Sequence, residues 1–284
     1  MKSFPRTTVA GVSLPRMLIG SNWMLGFSHT SAAADTMIRC RYGENLAAYE
    51  EMFEAYLQYD INAIMAPING GSAMYKAIKN AEQKTGKEII MIDTPFINVS
   101  DSADARREAE AVIKNSAAIG CKFCLPHHAV VEQLVNKNKE EITRLPDYLA
   151  MIRDAGMIPG LSAHMPEIIL YSDKNGYDVE TYIQIYNCLG FLMQIEIETV
   201  ARIIHNAKKP VMTIKAMAAG RCTPYVGITF SFATLRDCDM VTVGAHNPDE
   251  VHEDVEIAFA ALERRYPDLE GRSSPVKNQS VLRK

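Results

Sequence analysis

Short apolar runs alternate along the chain with amphipathic stretches whose apolar residues recur at steps of three and four, which is the pattern of strands alternating with helices. Eight apolar runs are present: "RMLIGSN", "INAIMAP", "EIIMIDTPF", "CKFCLPHH", "MIPGLSAH", "VETYIQIYN", "PVMTIKAM" and "DMVTVGAHN". No glycine- and serine-rich linker divides them. The pattern therefore predicts one α/β domain over 1–284, a single (β/α)8 TIM barrel. The main alternative, an open doubly wound sheet, is disfavoured because no strand runs into a GxGxxG turn.

Each apolar run ends in polar or turn-forming residues. In a (β/α)8 barrel these residues gather at the carboxyl-terminal rim, where loops from different strands converge over a rigid scaffold. Five of the seven histidines lie at or just after a predicted strand end, namely His29, His127, His128, His164 and His246. This bias predicts a functional site at the rim.

Composition narrows the class of protein. With 48% hydrophobic and 23% charged residues, a net charge of -4 and no basic run interleaved with aromatic residues, the chain lacks the features of a nucleic-acid-binding protein. No segment approaches the ~18 apolar residues of a membrane span, and prolines interrupt the N-terminal segment, so a cytoplasmic protein is expected. The six cysteines are too sparse for a disulfide scaffold and are expected to be reduced.

Adjacent histidines end the fourth apolar run. His127 and His128 point to opposite faces of an ideal strand, but both can reach the rim where the strand gives way to a loop. His128 is a candidate metal ligand, general base or helix cap. Together with Asp93 and His164, it forms a candidate set of ligands for a divalent metal, although no HxH or HExxH spacing fixes two of them locally.

Two charged residues end other strands. Asp93 follows four apolar residues, where a carboxylate is costly unless it meets a cation, a metal or a proton, so it is a candidate acid or base. Lys215 shares strand parity with Thr213 and is expected to point into the upper barrel. There it could pair with Asp93, which is the favoured alternative, bind an anionic substrate or form a Schiff base. On the sixth run, Gln184 and Tyr186 share a face that we expect to point inward as well.

The order of these motifs resembles the aldo/keto reductase superfamily along nearly the whole chain. "TTVAGVSLPRMLIGSN" resembles that family's N-terminal hairpin, which closes the bottom of the barrel. The stretch from "LPDYLAMIRDAG" to "VETYIQIYN" is similar to its fifth and sixth strands, and "VMTIKAMAAGR" and "DMVTVGAHNPDEVHEDVEIA" resemble its seventh and eighth. The resemblance implies a barrel with a β-hairpin across its amino-terminal end.

The resemblance also implies a catalytic tetrad of Asp, Tyr, Lys and His, but only the histidine is retained, as His127. Met65 stands at the Asp position, Gly70 at the Tyr position, and Asp93 or Thr94 at the Lys position. Without the phenol, hydride reduction has no general acid at the expected place, although a tyrosine of the sixth strand could replace it. These departures favour a non-reducing activity on the same scaffold.

Cofactor positions depart from the family pattern too. Ser162 matches a nicotinamide-binding serine, whereas Ala163 replaces an Asn and Gln184 is a shifted candidate for the family's Gln. An acidic Asp254 replaces an Asn near the expected adenosine diphosphate. The helix start in "GAHNPDEV" could still bind a phosphate, with or without NADP. The candidate cofactor-binding residues are Ser162, Gly244, His246 and Asn247.

Three functions remain open. The favoured one is an acid/base lyase or isomerase, with or without a metal, acting on a small polar carbonyl or sugar-like compound, with anionic and phosphorylated compounds included in that class. The others are an NADP-dependent oxidoreductase with a relocated general acid and a non-catalytic small-ligand-binding protein. A homo-oligomer is compatible with the sequence. The candidate catalytic residues are Asp93, His127, His128 and Lys215, and the candidate substrate-binding residues are Asn22, His164, Gln184, Tyr186 and Arg221.

Overall fold

The computed structural model describes residues 2–269. Its strands are β1 (Arg6–Val9), β2 (Val12–Pro15), β3 (Met17–Gly20), β4 (Ala63–Ala66), β5 (Ile90–Asp93), β6 (Phe123–Cys124), β7 (Val135–Asn136), β8 (Glu141–Ile142), β9 (Ile158–Pro159), β10 (Leu161–Ala163), β11 (Tyr182–Ile185), β12 (Val211–Ile214) and β13 (Met240–Val243). The pairs β1–β2 and β7–β8 are antiparallel hairpins. The other nine strands form one parallel sheet in the order β10-β11-β12-β13-β3-β4-β5-β6-β9.

The sheet closes on itself through a strand in two parts. Gly160 separates β9, which pairs with β6, from β10, which pairs with β11. A Cβ atom at Gly160 would lie 2.7 Å from the carbonyl oxygen of Thr181, so only glycine fits this junction. Counting β9 and β10 as one strand gives the eight strands of a (β/α)8 barrel, which confirms the predicted fold.

Helices surround the barrel: α1 (Asn22–Leu25), α2 (Ala32–Arg41), α3 (Leu46–Leu57), α4 (Ala73–Thr85), α5 (Ala103–Ala118), α6 (His128–Val131), α7 (Leu145–Asp154), α8 (Glu167–Asn175), α9 (Ile197–Asn206), α10 (Pro224–Thr234) and α11 (Pro248–Glu263). Several begin at a side-chain cap, such as Ser72 before α4 and Ser102 before α5, each of which accepts a backbone N–H of the first turn. In residues 2–269, none of these helices has the length and apolarity needed to cross a membrane.

Two buried apolar clusters show which way each strand faces. The inner cluster fills the barrel and comprises Leu18, Ala63, Met65, Ile90, Ile92, Phe123, Leu125, Ile183, Met212 and Met240, with Val9 and Leu14 of the N-terminal hairpin. The outer cluster joins the strands to the helix layer and is far larger. Because the hairpin contributes to the inner cluster just before β3 begins, it closes the amino-terminal end of the barrel, as predicted. The opposite end, which we call the mouth, is formed by the loops that follow the strands.

Candidate functional site

Aromatic rings form a continuous stack at one side of the mouth. His127 and His128 follow the fourth barrel strand and His164 follows the fifth. The ring centroids of His128 and His164 are 3.6 Å apart with planes inclined by 15°, and those of His127 and His128 are 4.2 Å apart. Phe96, whose exposed fraction is 60%, covers the outer side of His127 at 4.1 Å. We call His127, His128 and His164 the histidine stack.

Burial keeps two rings of the histidine stack neutral. Burial, assisted by positive charge on His128 and on Lys215, lowers the pKa of His127 to about 4 and that of His164 to about 3. The N–H of Ala129 donates to Nδ1 of His127 at 3.3 Å, so in the neutral ring the hydrogen is on Nε2. His127 therefore offers an N–H donor to the mouth.

Glu132 connects the two strands that carry the histidine stack. Its Oε1 accepts the backbone N–H groups of His164 at 2.6 Å and Met165 at 3.0 Å, and its Oε2 lies 3.8 Å from Nδ1 of His128. That last distance is too long for a hydrogen bond but close enough to stabilise an imidazolium. Sequence reasoning missed Glu132, although the i,i+4 spacing from His128 on a helix was a usable signal.

Lys215 faces the mouth, but not for the predicted reason. Thr213 pairs in register with Gln184 and Val241, and its hydroxyl donates to the carbonyl of Met240, while the inner cluster takes Met212. The expected inward parity of Thr213 and Lys215 is therefore wrong. Lys215 instead adopts a left-handed backbone conformation, with φ of 63°, which turns the chain at the end of β12.

The ammonium of Lys215 contacts a histidine instead of a carboxylate. Its Nζ lies 3.2 Å from Nε2 of His29, which is in the loop between α1 and α2. Arg221 lies nearby: it donates to the carbonyl oxygen of His29 at 3.2 Å, and its guanidinium carbon lies 3.9 Å from the ring centroid of Phe191. Burial, and then the charge of Arg221, lower the pKa of Lys215. Across residues 2–269, no carboxylate lies within ion-pair distance of Lys215.

The predicted placement of Asp93 beside Lys215 and the histidines is wrong. Oδ1 of Asp93 accepts the N–H of Ile68 at 2.9 Å, and Oδ2 accepts the hydroxyl of Ser116 on α5, so the carboxylate points between the barrel and the helix layer. Burial raises its pKa, and these donors oppose the rise. In β5 it is Ile92 that enters the barrel. Asp93 therefore anchors α5 and the loop after β4.

The sixth strand also faces the other way from our expectation. Ile183 lies in the inner cluster, whereas Tyr186 lies in the outer one, and the hydroxyl of Tyr186 donates to Thr234 of α10 at 2.9 Å. The predicted contact of Tyr186 with substrate is therefore wrong, and no tyrosine of β11 replaces the missing phenol. Gln184 is fully buried and donates to the carbonyl of His164 at 3.2 Å, so it supports the loop of His164 from behind. Asn22, by contrast, is exposed at the mouth, at the start of α1.

The predicted metal set is not assembled. Within 2–269, no three His, Cys, Asp or Glu side chains are placed to hold a metal ion. Asp93 is turned away, and the rings of His128 and His164 lie face to face. Because the nitrogen lone pairs lie in the ring planes, two nearly parallel rings cannot both direct a lone pair at one ion between them.

The residues at the cofactor positions do not fit a dinucleotide. Asn247 caps α11 by accepting the N–H of Glu250 at 2.9 Å, and the Glu250 carboxylate accepts the N–H of His246 at 2.7 Å. Asp249 adds a second acid to this first turn, so a diphosphate would meet two carboxylates and backbone donors that are already used. Gly244 packs against Gly20 where β13 meets β3, and Ser162 pairs with the inward-facing Ile183.

Two thiols lie close together beyond the end of β12, where the Cys222 sulfur is 4.0 Å from the carbonyl oxygen of Ala216. The sulfur atoms of Cys188 and Cys222 are 3.8 Å apart, and all six cysteines are unbridged. Burial, followed by the contact with Cys188, raises the pKa of Cys222 to about 11, so its thiol stays protonated near neutral pH. Cys121 and Cys124 are buried, which agrees with their expected structural role. The reactive groups of the mouth are therefore the imidazoles and Lys215.

Solved structures share this fold. A protein assigned to the aldo-keto reductases from Pseudomonas aeruginosa superposes with a TM-score of 0.64 at 14% sequence identity, covering 92% of this chain and 98% of that one. An aldo/keto reductase from Klebsiella pneumoniae, in complex with NADP and acetate, gives 0.52 at 12% identity, covering 94% and 92%. A xylose isomerase domain containing protein from Salmonella typhimurium gives 0.51 at 8% identity, covering 87% and 97%.

These comparisons confirm the predicted fold resemblance: the chain has the barrel fold that these solved structures share. At such low identity the likeness concerns the fold alone, because one barrel fold supports many activities. No protein-family model matches the sequence, and no curated protein matches it. The function must therefore be argued from the residues of the mouth.

Proposed function

We propose that the chain is an enzyme that moves a proton on a small anionic carbonyl compound, as a lyase or an isomerase does. The observation that carries this proposal is the arrangement of the mouth, where Lys215 and Arg221 both contact His29 and three other histidines form a stack; among residues 2–269, no carboxylate pairs with Lys215.

The two cations explain why the substrate would be anionic. Lys215 and Arg221 are close enough for the guanidinium charge to lower the pKa of the ammonium, so Arg221 destabilises the charged form of Lys215. A carboxylate or phosphate bound between them would remove this repulsion and gain charge-assisted hydrogen bonds. The mouth is thus cationic although the whole chain carries a net charge of -4.

Within the histidine stack, His128 is the proton carrier. His127 and His164 are neutral near pH 7 because their pKa values lie at about 4 and about 3. Nδ1 of His128 lies 3.8 Å from the Glu132 carboxylate, which would stabilise the imidazolium formed when His128 takes a proton from the substrate. The Nε2–H of His127 would hold the carbonyl oxygen while His128 acts as general base and acid.

Solvent exchange tests this assignment. We would incubate the protein in D2O with pyruvate, dihydroxyacetone phosphate and related 2-oxo acids and sugar phosphates, and follow loss of the proton next to the carbonyl by NMR. We expect exchange with at least one anionic compound, and a fall of roughly a hundred-fold or more in H128Q at an unchanged melting temperature. Exchange that survives in H128Q, or that is absent for every compound, would contradict the proposal.

An NADP-dependent oxidoreductase is the second candidate, because the Klebsiella pneumoniae reductase that shares the fold was solved with NADP. The acidic start of α11 and the outward-facing Tyr186 argue against it. Titration with NADPH, followed by nicotinamide fluorescence, distinguishes the two. Saturable binding would favour the reductase, and its absence would leave the proton-transfer enzyme as the better account.

A further inference from the structure

The ammonium of Lys215 contacts His29, which is a neutral base. Among the described residues, the other lysine side-chain hydrogen bonds go to carboxylates or carbonyl oxygens. Nδ1 of His29 lies 3.1 Å from the carbonyl oxygen of Phe27. A carbonyl only accepts, so Nδ1 must carry the hydrogen and Nε2 must carry the lone pair. Nε2 of His29 lies 3.2 Å from Nζ of Lys215, so its lone pair accepts a hydrogen bond from the ammonium.

The backbone fixes both partners of this contact. Lys215 has φ of 63° and His29 has φ of 59°, so both adopt a left-handed backbone conformation that residues other than glycine rarely occupy. Arg221 then donates to the carbonyl oxygen of His29 and holds its loop against the turn of Lys215. The two side chains are thus held in contact by two strained turns and a third residue.

The surroundings make the ammonium of Lys215 easier to deprotonate. Lys215 is half-buried, and burial and the charge of Arg221 lower its pKa. The charge of Lys215 also lowers the pKa of His127 and of His164, which places the amine at the same mouth as the histidine stack. A bound carbonyl compound would therefore have the amine on one side and the proton carrier on the other.

We infer that Lys215 is a nucleophile that forms an imine with the carbonyl carbon of the substrate, and that His29 relays its proton. This inference rests on the proposed function and names the covalent step within it. His29 takes a proton from the ammonium, and the amine adds to the carbonyl carbon. The carbonyl oxygen receives that proton and becomes the hydroxyl of a carbinolamine.

The second half of the step expels water. His29 takes a proton from the carbinolamine nitrogen and returns it to the hydroxyl, which leaves as water while the nitrogen lone pair forms the C=N bond. The net change is one ammonium and one carbonyl giving one protonated imine and one water, with charge conserved and no oxidation. The protonated imine then accepts the electron pair released when His128 removes a proton from the adjacent carbon.

Reductive trapping tests the inference. The full chain would be incubated with pyruvate or with dihydroxyacetone phosphate in the presence of cyanoborohydride, and the adduct located by peptide mass spectrometry. We expect a single early adduct on Lys215, none in K215M or K215R, and formation slowed roughly a hundred-fold in H29Q. K76M removes an exposed lysine of α4 and should label like the unmodified protein.

The outcomes separate this inference from the function on which it rests. If solvent exchange occurs but Lys215 is labelled no faster than Lys76 by either compound, the imine is wrong and the proton-transfer function stands. An adduct on Lys215 without any exchange would contradict the function and keep the nucleophile. Melting temperatures of H29Q and K215R show whether a lost adduct reflects unfolding, and K215R keeps the positive charge as a matched control.

Discussion

The two ends of the barrel differ in how their charged side chains are paired. At the closed end, Asp239 is fully buried and each of its oxygens is bound by Arg236, while Val211 donates its N–H to the same carboxylate. The buried Arg16 donates to the carbonyl oxygens of Asp239 and Arg236. At the mouth, Lys215 and Arg221 have no such carboxylate among the residues that the structure describes. The pairing of Asp239 with Arg236 at the closed end stabilises the fold. The charges of Lys215 and Arg221 at the mouth are available to a ligand.

The largest expected effect is at the closed end. Asp239→Ala should lower the free energy of unfolding by about 3–5 kcal/mol, because it leaves the guanidinium charge of Arg236 largely buried and without its carboxylate partner. Urea unfolding measures this loss. Asp237→Ala is the matched control: its side chain is fully exposed beside Arg16, and we expect a change near zero. Equal effects from the two variants would show that the closed end does not depend on the buried pair.

Asp93 tests whether a buried carboxylate near the mouth belongs to the fold or to the site. Asp93→Ala should destabilise by about 1–3 kcal/mol, since the N–H of Ile68 and the hydroxyl of Ser116 lose their acceptor. Proton exchange on substrate, corrected for the folded fraction, should be unchanged. Ser116→Ala removes only one of the two donors and should cost less. A large loss of exchange in a stable Asp93→Ala protein would return Asp93 to the catalytic residues.

The alternation of strands and helices could be read from the sequence because hydrophobic periodicity reports it directly, and the position of the N-terminal hairpin followed from the family resemblance. The direction of individual side chains could not. Barrel strands are covered on both faces, so β11 and β12 are buried along nearly their whole length, and a simple apolar/polar alternation does not distinguish inside from outside. Tyr186 and Gln184 were therefore placed on the wrong side.

Lys215 shows a second limit of sequence reasoning. It reaches the mouth through a left-handed turn at a residue that is neither glycine nor asparagine, and no residue preference signals such a turn. His29 was found as a rim residue from its position after the first strand, but its contact with Lys215 joins residues 186 positions apart and follows only from barrel closure. The histidine stack, in contrast, follows from strand ends that lie on neighbouring strands.

The left-handed turn at Lys215 is expected to lower the stability of the folded protein. Lys215→Gly should raise the free energy of unfolding by up to about 1 kcal/mol, because glycine adopts positive φ without a steric penalty and the repulsion from Arg221 is removed. Lys215→Ala is the matched control, since it removes the charge and keeps the strain. Thermal unfolding of the pair should place the glycine variant above the alanine variant. The reverse order would mean that the turn is not strained.

The dependence of stability on pH tests the burial of the histidine stack. A histidine has a pKa near 6.5 in the unfolded chain, whereas burial lowers the pKa to about 4 for His127 and about 3 for His164 in the folded chain. Below pH 6.5 the unfolded state therefore binds more protons, so stability contributed by these neutral rings is complete above that pH and is lost progressively on acidification. We expect the melting temperature to fall between pH 6.5 and 5, before most carboxylates titrate, and to fall less steeply in H164Q, which replaces the ring by a neutral side chain. An equal slope in H164Q would mean that the ring of His164 takes up its proton as readily in the folded protein as in the unfolded chain, and that the histidine stack is open to water.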